Sequence, residues 1–177
     1  KFNSPLSKET NEIVLTSALK KYFQMQELYK KNKIKINPLL LIQLPDRKMG
    51  NSEDQMKNKI IDILKKNFDI TLKNRKLAIY LSNEKINLAN ISKNENETQV
   101  LIFKQAIALG WDCPRAQILV LFREWKSLTF SVQTVGRIMR MPEPLKGHYN
   151  SDLLNHSYIY TNLQNIEISE DLGKSYL

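Results

Sequence analysis

Four residues of this chain have the types and spacing to act on a polyanion. They are Gln133, Gly136, Arg137 and Arg140, within Gln133-Thr134-Val135-Gly136-Arg137-Ile138-Met139-Arg140. Read as a helix, Gln133, Arg137 and Arg140 fall at i, i+4 and i+7 and share one face. Val135, Ile138 and Met139 are left to pack inward. A glycine inside a helix costs about 1 kcal/mol relative to Ala, and here it lets a partner approach closely. Two guanidinium forks and an amide beside a Gly suit a phosphate chain. The competing reading is a solvated basic face. The choice of cation weighs against it. Of the 27 Lys and Arg only six are Arg, yet Arg115, Arg123, Arg137 and Arg140 all fall within residues 115–140. Lys would serve on a solvated face, whereas bidentate phosphate recognition needs Arg.

Just upstream stands Ala108-Leu109-Gly110-Trp111-Asp112-Cys113-Pro114-Arg115-Ala116, then the apolar run Gln117 to Phe122. Gln133-x-x-Gly136-Arg137-x-x-Arg140 resembles motif VI of superfamily 2 helicases and translocases, and Gly110-Trp111-Asp112 before an apolar strand resembles their motif V. The two together, in this wording and spacing, resemble the restriction subunit of type III restriction-modification enzymes. The strong part of the resemblance covers residues 101–144. A weaker part covers Pro38 to Lys48, similar to motif IV, and Asn155 to Thr161.

The resemblance implies roles. Arg137 and Arg140 would reach the nucleotide's γ-phosphate and stabilise charge in the transition state, as an arginine finger does. Gln133 would contact phosphate or the attacking water. Asp112 would meet the nucleotide ribose or hold the motif VI arginines, with Gly110 and Gly136 giving the backbone close approach. The competing reading of the arginines is a structural ion pair with Asp112 or Glu143. Many relatives carry a Thr near Lys104, on the DNA backbone. Lys104, Gln105, Gln43 and Arg47 are the candidate DNA contacts here. Trp111 reads as core, and Cys113 as a small buried residue.

There is no G-x-x-x-x-G-K-[ST] to cradle phosphates and no Asp-Glu-x-x box for Mg²⁺. ATP with Mg²⁺ would therefore be bound mainly by a first RecA-like lobe outside this chain, and the chain alone would be inactive. Pro45-Asp46 and Glu124-Trp125-Lys126 mimic a metal-dependent nuclease pattern, but they are far apart in sequence and lack clustered carboxylates. No metal ligand set is expected. The implied partners are double-stranded DNA, the first lobe and a nuclease domain of one longer protein, and a modification (methyltransferase) subunit. A general superfamily 2 DNA or RNA helicase lobe remains open, as does a non-catalytic nucleic-acid-binding domain.

Composition sets the outer bounds. At 177 residues and 42% hydrophobic the chain is one globular domain by length. It begins with Lys and reads as a piece of a longer protein. No apolar run is long enough to span a membrane. A single cysteine excludes an internal disulfide and fits a reducing cytoplasm. The net charge of +9 favours an anionic partner.

The elements that must position these residues follow from periodicity. Ser7 is the expected cap of a helix running to about Asn32, with Glu9 and Glu12 in its first turn and Val14, Ala18, Tyr22, Met25 and Leu28 at helical spacing. Pro38 opens the apolar run Leu39 to Leu44. Ser52 with Gln55 makes a capping box for a helix reaching Phe68. Leu77–Leu81, Val100–Phe103, Gln117–Phe122 and Ser157–Tyr160 read as strands, and 82–99 as a mobile Asn-rich loop with room for a short helical piece. Thr129 or Ser131 would cap the helix carrying Arg137, and Pro142 and Pro144 would end it. This alternation predicts an α/β fold with a mainly parallel sheet and helices on both faces. The resemblance names it RecA-like, the second lobe of a two-lobe motor. Residues 1–36 form a helical segment packing on the lobe, and 37–177 the lobe itself. Ligands of such sheets bind beyond the carboxyl ends of the strands, and both motifs are expected at that rim.

Overall fold

The computed structural model describes residues 5–44, 52–104, 112–122 and 140–161, with side chains from residue 11 in the first helix and 54 in the second. In chain order these give α1 (Pro5–Lys31), β1 (Leu39–Gln43), α2 (Ser52–Phe68), β2 (Leu77–Leu81), β3 (Glu84–Ile86), β4 (Val100–Phe103), β5 (Ala116–Leu121) and β6 (Tyr158–Thr161). Two 3₁₀ turns, Pro144–Lys146 and Asp152–Asn155, precede β6. The strands form one six-stranded sheet in the order β3-β2-β4-β1-β5-β6. All neighbours are parallel except the β2–β3 hairpin. This is the mainly parallel α/β architecture expected of a RecA-like lobe.

The central strands are apolar at every position but Gln43 and Gln117 because both of their faces are covered. Leu39–Gln43, Val100–Phe103 and Ala116–Leu121 are buried at every position. Alternate residues divide between two cores. Leu40, Ile42, Val100, Ile102, Ile118 and Val120 face one side, with Leu15, Leu19, Tyr22, Met25 and Tyr29 of α1 and Ile60 and Leu64 of α2. Leu39, Leu41, Leu101, Phe103, Leu119 and Leu121 face the other, with Ile91 and Cys113. Both described helices thus lie on one face. The crossovers 105–111 and 123–139, including the expected helix carrying Arg137, lie outside the described residues.

One irregularity re-aims a side chain. Leu39 pairs with Ala116 but Leu40 pairs with Ile118, so Gln117 is the extra residue of a bulge. Gln117 is buried and donates from Nε2 to Leu154 O at 3.1 Å, while Tyr29 of α1 donates its hydroxyl to Gln117 Oε1 at 2.5 Å.

The helix ends have local causes. α1 starts at Pro5, ahead of the expected Ser7, so no acidic residue stands in its first turn. It stops in a Schellman arrangement. Lys33 takes φ 55°, Ile34 N–H reaches back to Tyr29 O, and Lys33 N–H to Lys30 O. The Lys30 and Lys31 charges complement the carbonyl end of the helix dipole.

The Asn-rich stretch 82–99 is largely loop, as its sequence suggests, but an ordered one. It contains β3 and a series of turns in which Asn side chains replace backbone partners. Asn87, at φ 57°, donates Nδ2 to both Leu72 O and Leu77 O. Asn96 donates to Ala89 O and accepts from Thr98 N–H. Among the described residues no helix is long and apolar enough to cross a membrane.

Candidate functional site

The structure brings together one residue from each of the two motif-like stretches. Arg140 Nη1 lies 2.8 Å from Asp112 Oδ1. Arg140 occupies a bend two residues before the buried Pro142. The two side chains remain 54% and 59% exposed, so water competes for both partners. A pair so exposed contributes on the order of 0–1 kcal/mol to stability. Its geometry is chemically useful all the same. A guanidinium held by one carboxylate oxygen keeps further N–H donors for a second anion.

The pair sits at the opposite rim from the one expected. Asp112 precedes β5 by four residues. The turn that follows it is closed by Ala116 N–H donating to Cys113 O, and Leu39 N–H at the start of β1 donates to Arg115 O. Asp112 therefore stands at the amino-terminal rim of the parallel sheet. The physical reason is the connection itself. Two parallel strands can be joined only by a segment that carries the chain back to the amino end. By Asp112 the chain leaving β4 has completed that return, so Asp112 itself is not at the carboxyl edge of β4.

The carboxyl rim holds the candidate DNA residues that are described. Gln43, at the end of β1, has no exposed surface and donates Nε2 to Lys104 O at 3.1 Å. Its amide joins the ends of β1 and β4, in place of the outward contact expected of it. Lys104, just past β4, is partly exposed at the same rim. The two rims are roughly 15 Å apart, from the rise of about 3.3 Å per strand residue. Gln133, Gly136, Arg137, Gly110, Gln105 and Arg47 lie outside the described residues, as do Trp111, Arg123 and both halves of the nuclease-like pattern.

Arg115 departs from its expected place in a phosphate-suited cluster. It is fully buried. Nε donates to Ile91 O at 2.8 Å, and Nη1 to Asn37 O at 2.8 Å, Thr98 O at 3.0 Å and Pro38 O at 3.4 Å. Nη2 donates to Asn96 Oδ1 at 3.4 Å. Every one of these acceptors is a neutral carbonyl. Burial pulls the guanidinium below its ordinary pKa, an effect countered by Cys113 and Tyr22 beside it. Cys113 is a buried free thiol, as read from its isolation in the sequence. Its Sγ lies 3.7 Å from Ile91 O, and burial pushes it up to about 11.

Around Asn37 a second polar cluster was not legible in the sequence. Tyr22 hydroxyl and Gln26 Nε2 both donate to Asn37 Oδ1, at 2.9 and 2.8 Å, and Asn37 Nδ2 donates to Asn96 O. The one available signal was a polar Tyr-x-x-x-Gln pair on the apolar stripe of α1. Glu143, the other candidate partner for the arginines, lies 2.7 Å from Lys146 Nζ and accepts from the Tyr149 hydroxyl at 3.4 Å. Among the described residues no group of three or more His, Cys, Asp or Glu could hold a metal ion.

The class that fold and site define is an α/β domain with an anion-competent Arg–Asp pair at the amino rim of a mainly parallel sheet. No protein-family model matches the chain, and no curated protein matches it.

Proposed function

We propose that this chain is the second motor lobe of an ATP-dependent DNA translocase, within a type III restriction endonuclease. The observation that carries the reading is the Arg140–Asp112 contact at 2.8 Å. Two stretches that resemble motifs V and VI supply one residue each to a single exposed pair on a sheet of the right architecture. In this reading Asp112 holds the Arg140 fork in place until a triphosphate, bound mainly by the first lobe with Mg²⁺, offers a more highly charged partner. Arg140 and Arg137 then stabilise charge developing on the transferred phosphoryl group, and Gln133 orients the attacking water. Gly110 and Gly136 allow close backbone approach. Lys104, at the carboxyl rim, serves DNA, with Gln105 and Arg47 as its further candidate contacts. The parent protein works in the cytoplasm, where the free Cys113 stays reduced.

The test is steady-state ATP turnover of the full-length protein with saturating double-stranded DNA. Arg140→Lys keeps the charge and loses the planar fork. Turnover falls by about a thousandfold, the usual weight of an arginine finger, while the thermal melt holds. Wild-type turnover in Arg140→Lys would remove the motor reading. Absence of any DNA-stimulated hydrolysis by the wild type would favour a non-catalytic nucleic-acid-binding domain.

A further inference from the structure

We infer that Arg115 is a positioning residue for the Asp112–Arg140 pair, clamping the turn that carries Asp112 to the amino ends of β1 and β4. The inference rests on the motor reading for its catalytic consequence, though the geometry stands without it.

Burying a guanidinium with no carboxylate against it is expensive. The cost is offset here by five donations, to acceptors contributed by three segments: Asn37 and Pro38 before β1, Ile91 in the turns after β3, and Asn96 and Thr98 before β4. A buried apolar residue would fill the space without that cost, but it could not tie three chain segments to one point. The flat fork with fixed donor directions can. Arg115 Nε and Cys113 Sγ both address Ile91 O, from either side of Pro114. The turn is thus gripped at 113 and 115 by the same carbonyl. Asp112 is its next residue outward, the first free of that grip, and its carboxylate reaches Arg140. Because the pair is exposed and intrinsically weak, its geometry depends on where the turn holds Asp112.

Arg115→Lys is the direct test, since an ammonium is a point charge that cannot reach all three segments at once. The first readout needs no nucleotide. In the 177-residue chain, Arg140→Gln moves the ¹³C signal of the Asp112 carboxyl because it removes the partner. In the Arg115→Lys background the same substitution moves that signal severalfold less, with the far-ultraviolet spectrum of the fold retained. The second readout is ATP turnover of the full-length protein. Arg115→Lys lowers kcat by about a hundredfold, as misplacement by about 1 Å does, and adds nothing further in an Asp112→Ala background. A merely structural role would add its loss in both backgrounds. If Arg115→Lys does not fold, Asn96→Ala loosens the fork at Nη2 and gives a smaller change in the same direction. An undiminished Asp112 response in the folded variant, Arg115→Lys or Asn96→Ala, would overturn the inference. Turnover indifferent to both Asp112 and Arg140 would instead sink the motor reading, and the carboxyl signal would still decide the role of Arg115.

Discussion

Tyr29 and Gln117 meet at 2.5 Å, hydroxyl to amide oxygen, under the last turns of α1. The contact locks the helix to the bulge in β5 and, through Gln117 Nε2 and Leu154 O, to the 3₁₀ turn before β6. Tyr149 closes the cluster, its ring edge-on to Tyr29 with centroids 5.7 Å apart. A buried amide oxygen left without its donor costs about 1–3 kcal/mol. Tyr29→Phe destabilises the chain by that amount in urea denaturation. Tyr29→Phe with Gln117→Leu loses less than the sum of the single variants, because the two residues share one interaction.

The fold loses stability in alkali, and the sign follows from which state keeps its protons. Burial raises the Tyr149 hydroxyl from 10.0 to about 12, with Glu143 adding to the shift, and raises Cys113 from 9.0 to about 11. Tyr22 and Tyr29 are raised further, again chiefly by burial. Above the unfolded values the unfolded chain releases protons that the native state retains, so stability falls as pH rises. It is level from neutral pH to about 9, the unfolded thiol value, and declines from there through the folded values. Urea midpoints measured across that range check it. A midpoint that holds to pH 11 would contradict the burial of these groups.

Asn87 carries both a strained backbone and a bridge. At φ 57° it holds Leu72 O and Leu77 O with one amide nitrogen. Asn87→Gly keeps the left-handed conformation and loses the bridge. Asn87→Ala loses the bridge as well and holds a β-carbon in that conformation, at a cost of about 1 kcal/mol or more relative to Gly. Denaturation therefore ranks wild type above Gly and Gly above Ala. An Ala variant as stable as Gly would mean that the turn relaxes to another conformation.

On the proposed motor reading, Asp112→Asn and Arg140→Lys are expected to leave the melt nearly unchanged while ATP turnover of the full-length protein collapses. The contact is more than half exposed on both sides, and surface substitutions of this kind fall within about 0.5 kcal/mol. A large loss of stability in either variant would make the pair structural, as the ion-pair reading of the arginines holds.

On the proposed reading, the net charge of +9 is expected to give binding to double-stranded DNA without sequence preference. Each phosphate neutralised contributes about −0.9 to the slope of log affinity against log salt. Titrations at several salt concentrations give that slope. Affinity indifferent to salt would exclude phosphate contacts as the source of binding.

Much of this protein is determined by its sequence alone, where one local rule decides. The strands at Leu39, Leu77, Val100 and Gln117 are legible because a strand covered on both faces is apolar at nearly every position. α2 begins at Ser52, where the local Ser52–Gln55 pattern places a helix start. Cys113 is readable as an inert buried thiol from its isolation. Outcomes that depend on which distant groups meet are decided only in three dimensions. Nothing in Asn87 or Asn96 says that their amides will find carbonyls rather than water, so an ordered loop reads as a mobile one. Gln43 is as polar as any surface residue, and only the fold brings Lys104 O beside it at the end of a buried strand. Arg115 and Arg140 are the same residue type in one short stretch. One is spent on the carbonyls of three segments and the other stays at the surface beside Asp112. Which rim a loop occupies is likewise a property of the whole crossover. The return of the chain between parallel strands set the meeting of Asp112 and Arg140 at the amino-terminal edge.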